Sequence, residues 1–515
     1  MRHIEIMDTT LRDGEQMQGV SFASDEKLTI SKILLKEVGV NRLEVTSARA
    51  SEGEKKSVEI ITKWAAKNGV SDKLEILSFV DNTKSIDWAM QTGIHRINLL
   101  TKGSLKHCKE QLKKNPQEHI DDISRTIEYA SKNNIEINVY LEDFTNGIKD
   151  SPEYVYFMID KLIMMPVKRI MLPDTLGVFN PFDTYEYVNK LVLEYPEVHF
   201  DFHPHNDYGF GSANILAAVK AGAKGVHVTV NGLGERAGNA ALDEVCVSLK
   251  DFLGVQTDIN EKALSKISNI VESFSGQRMS LNKPIYGSNV FIQTAGVHAD
   301  GDKKGNLYAN KLVPERFGRV REYALGKLSG KANLDFNLNM LGIELDDDKK
   351  KILLDRIVEL GDKKKSVTPD DLPYLISDIF ETQQNIPFKI IDCAIITTTE
   401  LKPTASIKCS YGEKISETNS SGDGGYDAFM KALELALVEF NIPIPKLLDY
   451  TIIIPPGGNT DALVQASITW QISINDQTNN NTRRKTVVTK GVNSDQILAA
   501  IEATVKVINI ICDQI

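Results

Sequence analysis

The chain reads as a (β/α)8 barrel, then a mainly helical connector, then an α+β domain. Three observations predict this. Short β-rich runs alternate with amphipathic helical stretches through residues 1–280. Polar residues recur where those runs end. The texture then changes twice, which sets expected boundaries of 1–280, 281–387 and 388–515. The length of 515 residues agrees, because a single core rarely grows beyond about 250–300 residues.

In order, the β-rich runs are Glu5–Met7, Arg42–Val45, Glu75–Val80, Arg96–Leu100, Glu136–Leu141, Arg169–Leu172, Val198–Phe202 and Gly225–Val230. Apolar residues recur at helical spacing between them, over Asp25–Glu37, Glu54–Asn68, Ile120–Asn133, Pro152–Met164, Pro181–Tyr195 and Gly211–Ala221. A doubly wound sheet is the rival. It would carry a Gly-rich phosphate turn after the first strand, where this chain has Asp8-Thr9-Thr10-Leu11-Arg12-Asp13-Gly14. A barrel puts its chemistry at the C-terminal strand ends. Arg12 and Asp13, Glu44 and Thr46, Asn98, Tyr140 and Glu142, Asp174 and Thr175, His203 and His205, and Asn231 all sit there.

The connector opens with Thr294-Ala295-Gly296-Val297-His298-Ala299-Asp300-Gly301. Its charge runs, Asp346–Lys351 and Asp362–Lys365, read as solvated faces and turns. Beyond it, β-rich runs cover Lys389–Thr398, Ala405–Cys409, Tyr450–Ile454, Ala462–Ile474 and Lys485–Lys490. Helices are expected at Tyr426–Phe440 and Ser494–Ile511. The order suggests a duplication, each half packing one helix on a small antiparallel sheet. Polar Asn475–Arg484 reads as a hairpin loop.

Net charge is -10. That argues against nucleic-acid or anionic-membrane binding, which want a basic face. Five scattered cysteines lack a C-x-x-C pair, so a zinc framework or disulfide scaffold is not expected. The first residues carry no signal-peptide pattern, and no run approaches the ~18 apolar residues of a membrane span. A cytoplasmic protein is expected.

Phe202-His203-Pro204-His205-Asn206-Asp207 carries the strongest signal. Residues i and i+2 of a strand face one side, so His203 and His205 aim two imidazoles at one ion. Asp13 adds a carboxylate. The set suits Mg²⁺, Mn²⁺, Zn²⁺ or Fe²⁺. Arg12 beside it is placed to stabilise an oxyanion. In Asn231-Gly232-Leu233-Gly234-Glu235-Arg236-Ala237-Gly238-Asn239, small residues permit close backbone approach. Asn239 is a candidate fourth ligand.

Asp8–Gln16, His203–Asp207 and Asn231–Asn239 together resemble the metal-dependent Claisen-condensing barrel enzymes. These are the isopropylmalate, homocitrate and citramalate synthases, with hydroxymethylglutaryl-CoA lyases as relatives. The likeness runs through the whole chain. Gly296–Gly301 resembles the connector motif that completes the catalytic site. Ser421-Gly422-Asp423-Gly424-Gly425-Tyr426-Asp427-Ala428 resembles the helix start of the C-terminal regulatory domain, with Gly425 and Tyr426 where Pro and an aliphatic residue are common.

The resemblance implies a reaction joining the methyl carbon of acetyl-CoA to the ketone of a 2-oxo acid. It implies a divalent metal on Asp13, His203, His205 and Asn239. Arg12 would meet the alkoxide and Thr175 the carboxylate, with Gln16 and Glu44 also at the substrate. The base would be Glu142 or a relay through His298 and Tyr308. A homodimer and an amino-acid effector, isoleucine, are implied too.

Leu77, Leu100 and Tyr140 should face the substrate, and their bulk favours pyruvate over branched 2-oxoisovalerate. The competing reading is that all three simply fill the barrel interior. Asn98-Leu99-Leu100-Thr101-Lys102-Gly103-Ser104 and Asn138-Val139-Tyr140-Leu141-Glu142-Asp143 resemble the pyruvate-using members. A lyase is disfavoured by the long C-terminal extension, and a non-catalytic sensor by the intact ligand set.

Overall fold

A computed structural model describes residues 2–512 apart from 306, 342, 363–366, 368, 381–386, 454–463 and 476–481. The chain folds into two compact units, Met1–Ala324 and Leu325–Ile515.

In the first unit, eight parallel strands close a barrel: β1 (Glu5–Asp8), β2 (Arg42–Ser47), β3 (Leu74–Phe79), β4 (Arg96–Lys102), β5 (Glu136–Glu142), β6 (Val167–Asp174), β7 (Phe200–Pro204) and β8 (Gly225–Val228). β8 returns to β1, with Glu5 opposite Gly225 and Asp8 opposite Val228. Residues such as Leu43, Val45, Ile76, Leu99 and Val139 are fully buried beneath the outer helices. That burial drives closure. Helix starts follow local chemistry. Asn115 caps Glu118 N–H at 3.0 Å while Glu118 returns to Asn115 N–H at 2.8 Å. With Pro116 at the first position, this box starts the helix Pro116–Lys132, earlier than the apolar pattern from Ile120 suggests.

The barrel interior is polar in part. Arg42 reaches across it to Asp201 and to Glu75. Asn138 links Asn98 at 2.9 Å, and Asn98 links Glu44 at 2.7 Å. Above this ladder Met7, Leu77, Tyr140 and Met171 form a small apolar cluster, with Leu100 packed on it.

After the barrel come the helix Gly296–Lys303 and the short parallel pair β9 (Ile292–Gln293) and β10 (Glu322–Tyr323). The second unit begins with helices Lys331–Met340, Asp347–Asp362 and Leu372–Phe380 around Leu334, Leu338, Leu353 and Ile357. The Asp346–Lys351 run is largely exposed at a helix start, as expected of a solvated face. In the other run, residues 363–365 lie outside the described residues.

A strand–strand–strand–helix unit then occurs twice. β11 (Phe388–Ile396), β12 (Thr404–Tyr411) and β13 (Lys414–Ser421) form one antiparallel sheet, followed by the helix Gly425–Phe440. β14 (Lys446–Ile453), β15 (Val464–Asn475) and β16 (Thr482–Asn493) form the other, followed by Gln496–Cys512. The two helices and sheets share one apolar cluster. β13 has no apolar alternation to announce it. Its inward positions are Ser416 and Thr418, satisfied by Glu439 at 2.6 Å and the Ala432 carbonyl at 2.7 Å. The hairpin loop expected at Asn475–Arg484 is shorter, because Asn475 pairs Thr482 and Ser473 pairs Arg484. Ile454, Ala462 and Leu463, expected in strands, lie outside the described residues. All five cysteines are free. Among the described residues no helix is long and apolar enough to cross a membrane.

Candidate metal centre and substrate pocket

β1 ends in a tight turn. The Thr9 carbonyl accepts from the N–H groups of Arg12, Asp13 and Gly14 at 3.1, 2.8 and 3.1 Å. The turn sets Arg12 and Asp13 at the barrel mouth. Beyond β7, His205 N–H donates to the Asp174 carbonyl at 3.2 Å and Asn206 N–H to the Gly238 carbonyl at 2.9 Å. His205 also bridges Asn239. This pinning keeps His203 and His205 on one side, with ring centroids 5.3 Å apart. One ligand atom each from Asp13, His203 and His205 falls within 4.8 Å of the others, and all three residues are buried.

The atoms around this point fit a divalent cation. His203 Nε2 lies 3.4 Å from Asp13 Oδ2, and Oδ1 of Asn239, on the amide that bonds Asp13, is buried without a hydrogen-bond partner among the described residues. Such an orphan calls for a ligand. Asn239 is turned by its other end, Nδ2 donating to Asp13 Oδ1 at 2.9 Å and the Leu233 carbonyl at 3.0 Å. Burial opposes charge on Asp13, but Arg12 and the two imidazoles outweigh it and hold its carboxyl well below the usual range. Burial pushes His205 down to about 4. An ionised carboxylate and a neutral imidazole are the forms a metal requires. Gly234 at φ +151° makes the cradle possible, since a Cβ there would lie 2.1 Å from Asn239 Nδ2.

Arg12 is held from three directions. Nε donates to Glu44 Oε2 at 2.5 Å, Nη1 to Asp13 Oδ2 at 2.7 Å, and Nη2 approaches the Tyr140 hydroxyl at 3.5 Å. Burial works against its charge, yet Glu44 and Asp13 raise its pKa further. Tyr140 lies edge-on to His203 at 5.9 Å. Leu77, Leu100 and Tyr140 meet in the apolar cluster named above. Thr175 Oγ1 accepts from Asp143 N–H at 2.9 Å, and its carbonyl accepts from Arg236 at 2.7 Å. Glu142 pairs with Lys102. Gln16 is exposed on the turn Gly14–Gln16.

The rings of His298 and Tyr308 lie against each other, tilted by 37°, with centroids 4.2 Å apart. Among the described residues, no hydrogen bond, ion pair or ring contact joins either to Arg12, Asp13, His203 or His205. Sequence reasoning missed Lys102, and also His227 and Asp201, which join Tyr140 to Arg42 through the barrel. A signal existed. Asp201 stands two residues before His203, so alternation places it on the same inward face.

An HMGL-like family profile matches residues 3–271. A homocitrate synthase post-HMGL domain-like profile matches 285–365, and a LeuA allosteric (dimerisation) domain profile matches 366–512. From Methanocaldococcus jannaschii, a 2-isopropylmalate synthase is 35% identical over 98% of this chain and 94% of its own. An (R)-citramalate synthase from the same organism is 33% identical over 90% of this chain and 92% of its own. The chain belongs to the HMGL-like family, as a metal-dependent acyltransferase that uses acetyl-CoA.

Proposed function

We propose that this enzyme condenses acetyl-CoA with pyruvate and hydrolyses the resulting thioester, giving (R)-citramalate and CoA on a route to isoleucine through 2-oxobutanoate. The observation carrying this reading is the cluster of Leu77, Tyr140, Met7 and Met171 with Leu100 beside Arg12. That much apolar bulk suits a methyl group better than an isopropyl group. Each extra methylene in such a pocket shifts discrimination by about 1–3 kcal/mol.

Asp13, His203, His205 and Asn239 would hold a divalent cation, which when bound would supply Lewis-acid polarisation of the ketone. Arg12, already fixed by Glu44 and Asp13, offers Nη2 to the oxygen that gains charge as the methyl carbon attacks. The Thr175 hydroxyl donates to the substrate carboxylate. Glu142 or the His298–Tyr308 pair removes the methyl proton, and Lys102 holds the Glu142 carboxylate in place. Water then cleaves the thioester, releasing CoA.

This reading divides the chain into a catalytic barrel (1–280), a connector (281–387) and a regulatory domain (388–515) in a homodimer. Isoleucine is the proposed effector. A cavity of about 460 Å³ in the second unit supports it, with Tyr426, Met430, Ile444 and Leu447 offering an apolar wall and Asp427 and Glu434 a place for an ammonium group. A second reading is a 2-isopropylmalate synthase acting on 2-oxoisovalerate. It is favoured by the 35% identity to such an enzyme over 98% of the chain. CoA release with each oxo acid separates the two. A kcat/KM for pyruvate at least tenfold above 2-oxoisovalerate supports the first reading, and the reverse ratio replaces it with the second.

A further inference from the structure

We propose that His227, anchored by Asp201, is a positioning residue that directs the Tyr140 hydroxyl proton away from Arg12 and so fixes the guanidinium for catalysis. The inference rests on the reading above, in which Arg12 Nη2 faces the ketone oxygen.

The chain of contacts crosses the barrel. Tyr140 on β5 meets His227 on β8, hydroxyl to Nδ1, at 2.9 Å. On the far side of the ring, Nε2 lies 3.1 Å from Asp201 Oδ2 on β7. That carboxylate also receives the Arg42 guanidinium and lies 3.1 Å from His199 Nε2. Tyr140, His227, Asp201 and Arg42 are each 2% exposed or less.

Donor arithmetic sets the proton positions. A carboxylate paired with a guanidinium only accepts, so His227 Nε2 carries the ring proton. In the neutral ring Nδ1 is then bare and accepts from Tyr140. A hydroxyl has one proton. Once it is committed to Nδ1, the Tyr140 oxygen presents only lone pairs to Arg12 Nη2 at 3.5 Å. Arg12 Nε and Nη1 are already engaged by Glu44 and Asp13. One Nη2 proton therefore settles on Tyr140, and the other remains for the substrate. With the opposite tautomer the hydroxyl proton would confront the guanidinium and push it off that line.

A histidine that merely fills the core would be independent of Tyr140, and a double-mutant cycle separates the roles. The enzyme is assayed for CoA release with whichever 2-oxo acid the wild type turns over, so failure on pyruvate overturns only the substrate reading. His227→Leu is expected to lower kcat about 10- to 100-fold, with KM for acetyl-CoA changed less than about threefold. Tyr140→Phe is expected to do the same, and the double variant no worse than either. His227→Asn, whose Oδ1 takes the place of Nδ1, restores most of kcat, whereas His227→Gln does not. Multiplying losses in the double variant, or equal activity for Asn and Gln, overturns the proposal. If His227→Leu does not fold, the Asn–Gln comparison decides.

Discussion

Gly234→Ala strikes the metal cradle at its tightest point. The added Cβ would sit 2.1 Å from Asn239 Nδ2 and 3.2 Å from Asp13 Oδ1, two atoms that are hydrogen-bonded to each other at 2.9 Å. To regain ordinary contact, Asn239 must retreat by about 1.3 Å, and displacements near 1 Å in a catalytic site cost about 100-fold in rate. Holding alanine at this φ adds about 1–3 kcal/mol of backbone strain. Disturbing the groups that orient a ligand weakens metal affinity about 10- to 100-fold. Gly209→Ala is the control, because it has φ +76° but nothing within 4 Å of its Cβ. It bears the strain without the collision. The assay is titration of chelator-stripped protein with Mn²⁺, followed by CoA release at saturating metal. Gly234→Ala should bind Mn²⁺ at least tenfold more weakly than Gly209→Ala and turn over about 100-fold more slowly. Equal Mn²⁺ affinity in the two variants would refute the cradle.

Other predictions follow from buried charges and the pocket. Lys27 is fully buried with its ammonium 2.6 Å from both Glu15 and Glu54. Lys27→Met should cost about 3–5 kcal/mol in urea unfolding by stranding two carboxylates, and an unchanged midpoint would contradict that. Burial pushes Asp243 up to about 7, although Lys283 Nζ lies 3.9 Å from Oδ1, and neither carboxylate oxygen has a hydrogen-bond partner among the described residues. A raised carboxyl stabilises the fold below the ordinary range and loses that contribution as pH climbs toward 7. Asp243→Asn should therefore gain on wild type between about pH 4 and pH 7, by about 1.4 kcal/mol per pH unit. A pH-independent gap would show that Asp243 is ionised throughout. Replacing Leu100 and Tyr140 by smaller residues should raise kcat/KM for 2-oxoisovalerate relative to pyruvate by about tenfold or more, and a fixed ratio would remove them from specificity.

The barrel was legible because its strands alternate with helices and carry polar residues at their ends. The grouping of Asp13, His203 and His205 was legible for a local reason: the two histidines are two residues apart at the end of one strand, and Asp13 follows another. The interior relay was not. Tyr140 and His227 are 87 residues apart and meet only when the barrel closes. His227 within Gly225–Val228 reads as an ordinary strand residue until Asp201 is opposite it. β13 escaped for a different reason. Its inward Ser416 and Thr418 are satisfied by the following helix, so its burial leaves no hydrophobic trace. The helix at Pro116 was set by a cap rather than by its apolar face.

Metal dependence is the most direct consequence of this site. Chelator-stripped protein should be inactive and bind one Mn²⁺ per chain, and CoA release with acetyl-CoA and a 2-oxo acid should rise in step with occupancy. His203→Ala and His205→Ala should lose both together. Full turnover by stripped protein, or undiminished Mn²⁺ binding in either variant, would contradict it.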